Sequence, residues 1–588
     1  MLDYSEGAIK ARLSKSPSLL EMLRSSAARK PNDPALVFYR RATDPEPEIT
    51  TYGELLTQTE AAAAGFASLG INPEDGIAIL LPTIPESVAA FIAASAVGVA
   101  FPINLLLSAK AIAHQLELSN AKAAIVMDEF PGHDVFNRLS KAAAQSPHLQ
   151  TIIKVSLTPN MINPWQDFLN SASGVPPGHG DRDRIAALFH TGGTTGNPKL
   201  AQLSQLNLAA GAFMSAGAMK WQDGERVMVC LPMFHVGGNI TCTMSTLVTG
   251  GAVVFPSPLG ARDPDVVNNI WSMIEKSQTS ALVMAPTSLS AIYDIPIGSQ
   301  KMNAFRGIVT GATALSPDLG AAIQVKTGRP ISQIYGMTET SGVCTTQPCD
   351  DTYREHAVGY LAPLMELKIN SQDGRAGERG DVQLRGPNSF KGYRTSQGVA
   401  DAPINGWVET GDIGQIGPDG QLRLLGRAKD TIIRSGHNID PLLVEETVQA
   451  HPAIRQAAAV AMPDAYAGEI PTLYVSLRPG HELTTEQLAN HISEHIAEPP
   501  ARPKHIFILD ELPLTPVGKI ARFRLRQTAA IWQATKVLTE LPITEICCDD
   551  TSAKELSIHW TGTPSDQNIM LANSQLTQLG LRLVPQAL

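Results

Sequence analysis

The chain has 588 residues, 43% of them hydrophobic and 17% charged, so it is too long for a single core and too apolar for disorder; several folded domains are expected. Its 46 basic and 56 acidic residues leave a net charge of −10, which excludes a general attraction to nucleic acid or anionic lipid; any anion must be held at a local site. Six cysteines, at 230, 242, 344, 349, 547 and 548, form no Cys-x-x-Cys pair and no regular framework, which fits a reducing compartment.

The first residues carry scattered charges and no apolar stretch before a small-residue cleavage site; no targeting signal is read and a cytoplasmic location is expected. In chain order, GIAILLP (76–82), ESVAAFIAASAVG (86–98) and KAAIVMD (122–128) alternate strand-like runs with helical spacing, an α/β pattern. Residues 87–109 carry no charge, but they are Ala-rich and contain Pro102 and Asn104; a buried helix at 88–97 turning into a strand is expected, not a transmembrane segment. The alternation resumes at RVMVCLP (226–232), GAVVFP (251–256), SALVMAP (280–286) and FRGIVTGA (305–312), runs that feed Gly- or Pro-bearing loops suited to ligands. From Glu366 short strands with Gly-rich turns, MELKIN to GQLRLLG, predict an antiparallel sheet or small barrel. A large N-terminal domain, 1–428, is therefore expected, followed by a small α+β domain, 429–527, with a helix near 444–451 and a strand near 456–462. The extension 528–588 carries no readable motif and is expected to be a small folded appendage.

The most informative segment is LFHTGGTTGNPKLAQLSQLN (188–207). Gly192, Gly193 and Gly196 permit backbone N–H groups to turn inward, Thr191, Thr194 and Thr195 add hydroxyl donors, and Lys199 adds a mobile positive charge, so the loop suits phosphates. It is not a Walker loop, because Lys199 is followed by Leu200 and not by Ser or Thr. Three other elements follow at a distance: Tyr335-Gly336-Met337-Thr338-Glu339; Thr410-Gly411-Asp412 with Gly426-Arg427-Ala428-Lys429; and Leu514-Thr515-Pro516-Val517-Gly518-Lys519. Taken alone, each reads as an ordinary turn, helix cap or solvent-facing lysine.

Together they resemble the adenylate-forming superfamily of acyl-CoA and aryl-CoA synthetases, firefly-type luciferases and peptide-synthetase adenylation domains, over roughly residues 51–522. The resemblance implies an AMP-forming acid–thiol ligase of the standalone acyl-CoA synthetase type that uses ATP, Mg²⁺ and coenzyme A. Thr191 to Gly196 and Lys199 would hold phosphates; Gly311, Ala312 and Thr313, with Ala314, would lie along adenine and the acyl group. Tyr335 and Gly336 would line the adenine site, Thr338 would approach the α-phosphate, and Glu339 would hold Mg²⁺. Asp412 would accept the ribose hydroxyls beside Arg427, Lys429 would be the hinge, Gly436 would border the thiol channel, and Lys519 would be the adenylation lysine. His235, in Pro232-Met233-Phe234-His235, would sit beside the reacting carboxylate. The sequence departs from the pattern at His190, Gly193, Leu200 and Gln205.

Rival readings attach to smaller features. His491, Glu494 and His495 match the His-x-x-Glu-His zinc-protease pattern, and Cys547-Cys548-Asp549-Asp550 is a weak metal candidate. An enzyme that loads a phosphopantetheine carrier is the closer alternative to a coenzyme A ligase, and a ligand-binding pseudoenzyme is disfavoured by the retained Lys199, Glu339, Asp412, Arg427 and Lys519. The carboxylic acid and the oligomeric state, including a homo-oligomer, are left open.

Overall fold

The structure, a computed structural model, describes residues 3–130, 132–158, 163–172, 181–191, 199–313, 315–347, 357–371, 378–435, 437–496, 498–515, 518–549 and 552–584. Two large mixed sheets form the N-terminal part. In one, Pro34–Phe38, Ala252–Phe255, Arg226–Val229, Ala281–Val283, Gly307–Gly311 and Ile331–Met337 run parallel in that spatial order. In the other, Ile185–His190, Val99–Pro102, Gly76–Leu80, Ala121–Met127 and Thr151–Val155 do so. The strands read as continuous apolar runs because both faces are covered. Ile77 and Ile79 point into a core shared with Val227 and Val229 of the other sheet, while Ala78 and Leu80, and separately Met228, enter cores on the far sides.

Between the sheets lie the helices Pro85–Val97 and Gln205–Met219. Both are buried nearly all round, which explains their lack of a polar face. The uncharged run is thus core from 87 to 105, with Leu106 and Ser108 exposed at its end, and among the described residues no helix is long and apolar enough to cross a membrane. Helix Gln205–Met219 starts with a reciprocal cap between Ser204 and Asn207. The antiparallel strands expected from Glu366 onward, Glu366–Asn370, Gly380–Arg385, Val408–Ile416 and Leu422–Arg427, join the parallel sheet through Ala357–Leu361 and Gly342–Thr346. This junction brings the Asp412 strand to the Tyr335 strand.

The smaller C-terminal part is a five-stranded sheet built on the long hairpin Ile454–Asp464 and Gly468–Leu477. Helices Pro441–Gln449 and Thr485–His495 cover one face through Ala457, Ala459, Leu473 and Val475. Helix Arg522–Val537 covers the other through Leu525 and Ala529, against Ala458, Val460 and Tyr474. The same helix then presents Ala530, Ala534 and the following Leu538 to the extension, where Ile543–Asp549 and Ser552–Trp560 form a hairpin backed by helix Asp566–Gln578. The division placed at 527/528 therefore falls inside a helix, because one amphipathic segment serves two cores. Trp532, beyond that division, packs on Phe507 and His505 of the small sheet at centroid distances of 5.5 and 4.6 Å.

A chain ending at Gln527 loses Trp532 from the small-domain core and should melt earlier than one ending at Glu540, by the equivalent of about 3 kcal/mol or more. Calorimetry of the two truncations checks this; equal melting temperatures would show that the helix beyond 527 is dispensable to the small domain.

Candidate active site

The site gathers where strand ends meet. Strand Ile185–His190 pairs antiparallel with Leu200–Ser204, His190 opposite Leu200, so these two strands flank the Gly/Thr-rich segment. Its base is closed by Thr191 N–H donating to Lys199 O at 2.9 Å; Gly192, Gly193, Thr194, Thr195 and Gly196 lie outside the described residues. Lys199 Nζ pairs with Asp401 at 2.6 Å and stands 4.8 Å above the Tyr393 ring. The Tyr393 hydroxyl in turn donates to Glu339. Tyr393, from the segment Lys391-Gly392-Tyr393-Arg394, joins two predicted residues and was not singled out from the sequence. Its signal there is only an aromatic beside a glycine.

Strand Ile331–Met337 delivers Tyr335 and ends in the turn Thr338–Thr340, where Thr338 and Glu339 are buried. A Cβ at Gly336 would come within 2.1 Å of Gly342 O, so only glycine admits this crossing at a register shift. The Tyr335 hydroxyl donates to Asp412 Oδ2 at 2.6 Å, and Arg427 Nε donates to Asp412 Oδ1 at 2.9 Å. Burial first, and then the Asp412 charge, holds the Tyr335 phenol well above its ordinary range. Asp412 thus links the adenine and ribose candidates directly. Gly311 ends its strand against Ile334, and Ala312 adopts the left-handed region at φ +76°, which turns the chain sharply before Thr313. Ala314 lies outside the described residues.

His235 precedes a π-helical segment, Gly237–Met244, a local widening common at functional sites. Its Nδ1 accepts from Gly237 N–H at 3.1 Å, which leaves the proton of the neutral ring on Nε2. Burial, then the Lys519 and His190 charges, pushes its pKa down to about 3. His190, one of the departures, stacks on Phe234 at 5.7 Å, and burial lowers its pKa to about 4. Gln205, another, donates from its amide to Ser95 O at 2.6 Å and so is structural; Leu200 is buried strand core.

Lys519 reaches this cluster from the small domain. Burial first and Arg427 next lower its pKa to about 8, while Asp412 and Glu339 oppose that shift. The loop is held down by Thr287 Oγ1, which donates to Gly518 O at 2.8 Å, and Arg478 approaches Asp294 at 3.9 Å with its guanidinium near the Tyr293 ring. Both contacts use the helix Pro286–Tyr293 or its end. Lys429 sits in the turn Ala428–Asp430, its pKa lowered by burial and then by Arg427. Gly436 lies outside the described residues; beside it, Arg434 donates to Pro500 O at 2.6 Å and Ser435 N–H to Ala467 O at 2.8 Å, within the small domain. His491 and His495, the protease-like pair, spend ring nitrogens on the carbonyls of Thr447 and His491 at 3.1 and 2.8 Å. His491 thereby ties the helix Thr485–His495 to Pro441–Gln449 and His495 bonds within its own helix, with Glu494 exposed beside them.

The profile of the AMP-binding enzymes matches residues 23–394, and that of the AMP-binding enzyme C-terminal domain matches residues 443–519. The chain belongs to the AMP-binding enzyme family. Marinolic acid–CoA ligase from Pseudoalteromonas sp. (strain SANK 73390) is 28% identical to this family member over 543 residues, 87% of this chain and 82% of the relative. Oxalate–CoA ligase from Arabidopsis thaliana is 29% identical over 487 residues, 80% of this chain and 92% of the relative. A solved anthranilate CoA ligase in complex with anthranoyl-AMP shares the fold, with a TM-score of 0.77 at 23% identity, over 88% of this chain and 98% of that one.

The Thr287 to Gly518 hydrogen bond should hold Lys519 in the site. Thr287→Val removes a contact worth about 1 kcal/mol, so acylation of Lys519 by an amine-reactive probe, followed by mass spectrometry, should quicken about fivefold relative to exposed lysines. An unchanged ratio would show that the contact does not hold the loop.

Proposed function

We propose that this chain is an AMP-forming acid–CoA ligase whose adenylation half-reaction uses the pose described. The observation that carries the reading is the meeting of Lys519, from the small domain, with Arg427, Asp412 and Glu339 of the large one. Tyr335 would flank adenine, and Asp412, already bound to Tyr335 and Arg427, would take the ribose hydroxyls. Thr338 would meet the α-phosphate, and Thr191 with Lys199 would flank the phosphates on the hairpin side. Glu339 suits Mg²⁺ because a carboxylate oxygen is the donor that hard ion prefers, and its Tyr393 partner is neutral and leaves its charge in place. When bound with the triphosphate, Mg²⁺ would offset phosphate charge.

In the first step the acid's carboxylate oxygen forms a bond to the α-phosphorus and pyrophosphate leaves. The Lys519 ammonium bridges the carboxylate and α-phosphate as negative charge redistributes. Neutral His235 would stand beside the carboxylate without repelling Lys519, and Gly311, Ala312 and Thr313 would border adenine and the acyl group. In the second step the coenzyme A thiolate attacks the acyl carbon and AMP leaves. The hairpin around Gly436 would then approach the site, which requires the small domain to turn near Lys429.

Lys519→Ala should lower pyrophosphate release in a single turnover by about 10²–10³ while largely sparing thioester formation from supplied acyl-adenylate. Equal loss in both steps would contradict the assignment.

The pH dependence has a definite sign. Lys519 is charged below about 8 and loses its proton above it, so kcat/KM for ATP in adenylation should be flat at lower pH and fall above about 8. His235, pushed to about 3, adds no acid limb near neutrality. A parent profile that rises through pH 8 would rule out a charged Lys519 as the acting group.

A further inference from the structure

The C-terminal hairpin Ile543–Asp549 and Ser552–Trp560 has two chemically distinct faces. Ile546, Leu556 and Ile558 turn toward Ala530, Ala534 and Leu576. Alternate residues project the other way, and there Glu545 stands directly opposite His559 in the register, with Cys547 two residues further along the same strand. A carboxylate oxygen, a thiol sulfur and an imidazole nitrogen from these three lie within 4.8 Å of one another. The adjacent pair Cys547-Cys548 is not one site, because the pleat sends Cys548 Sγ inward, 3.7 Å from Gln527 O.

We propose that Glu545, Cys547 and His559 form a zinc site on the extension that ties the two hairpin strands together. One sulfur, one imidazole nitrogen and one carboxylate oxygen form a donor set that suits zinc. Around tetrahedral zinc, neighbouring donor atoms stand about 3.3–3.8 Å apart, as follows from its bond lengths. The three groups, within 4.8 Å of one another, would have to close toward that spacing on binding the ion. Glu545 and His559 are exposed, so water completes the coordination. A solvated polar sheet face explains Glu545 and His559 singly, but a part-exposed thiol between them is unusual, since free cysteine is among the most buried residue types. The site lies beyond residue 519, where the family profiles end, so it is a property of this extension and separate from the adenylation chemistry.

The test uses the full chain, stripped of metal, kept reduced with a non-coordinating phosphine, and titrated with Zn²⁺ alone against a chromophoric chelator. A parallel titration with Co²⁺ reads the thiolate-to-metal absorption band. One saturable equivalent is expected, with the cobalt band present and the melting temperature raised. Cys547→Ser and His559→Asn should each weaken binding by more than about 100-fold, beyond the loss typical of outer-shell changes, whereas Cys548→Ser and His495→Asn should leave it unchanged. All four variants are melted without metal, and Glu545→Gln replaces either ligand variant that does not fold. No saturable uptake by the parent, or uptake that survives both Cys547→Ser and His559→Asn, would overturn the proposal.

Discussion

Everything at the site depends on holding one ammonium group in an enclosed place that already contains a guanidinium. Burial disfavours the charge of Lys519, and Arg427 and Lys429 add repulsion; Asp412 and Glu339 offset them incompletely, which is why the pKa settles at about 8. Asp412 cannot neutralise Lys519 by itself, because its single negative charge is already paired with the Arg427 guanidinium. The cluster is therefore short of negative charge. On the function proposed above, a triphosphate and a carboxylate would supply it, so the same imbalance would favour those substrates.

The backbone makes this arrangement by letting strands end close together. Parallel strands deliver Gly311 and Tyr335 side by side, and the antiparallel strands after residue 342 fold Asp412 and Arg427 back onto the Tyr335 strand. Glycine at 336 is required where two chains nearly touch. Polar groups so placed are rigid, because each is bonded to a neighbour on another strand. Preorganisation of this kind spares reorganisation at the moment of reaction.

The small domain carries Lys519 on one loop and the Arg434 hairpin on another, and among the described residues the polar contacts that dock it include Thr287 on Gly518 and Arg478 on Tyr293 and Asp294. Polar contacts of this type are individually weak and separable. Helix Arg522–Val537 runs unbroken from the small domain into the extension. Any rotation of the small domain must carry the extension with it, because one unbroken helix joins them.

The sequence by itself determined the family resemblance, the α/β alternation and the buried helix at 88–97, and it singled out Tyr335, Glu339, Asp412, Arg427 and Lys519, because those signals lie in local residue order and in motif spacing. Local order could not tell that Tyr393 bonds Glu339, that Thr287 holds Gly518 or that His235 is kept neutral, since each depends on segments 54 to 284 residues apart being packed together. It also misplaced the boundary at 527/528: the apolar spacing of helix Arg522–Val537 is continuous, and only the two cores on either side of it show that it serves both. The same limit applied to Cys547 and Cys548, neighbours in the chain that the β-pleat turns to opposite faces, while His559, twelve residues on, is brought beside Cys547 by strand pairing. Chemistry carried by neighbours in sequence was legible; chemistry assembled across strands and domains required the tertiary structure, because burial and contact are decided by the fold.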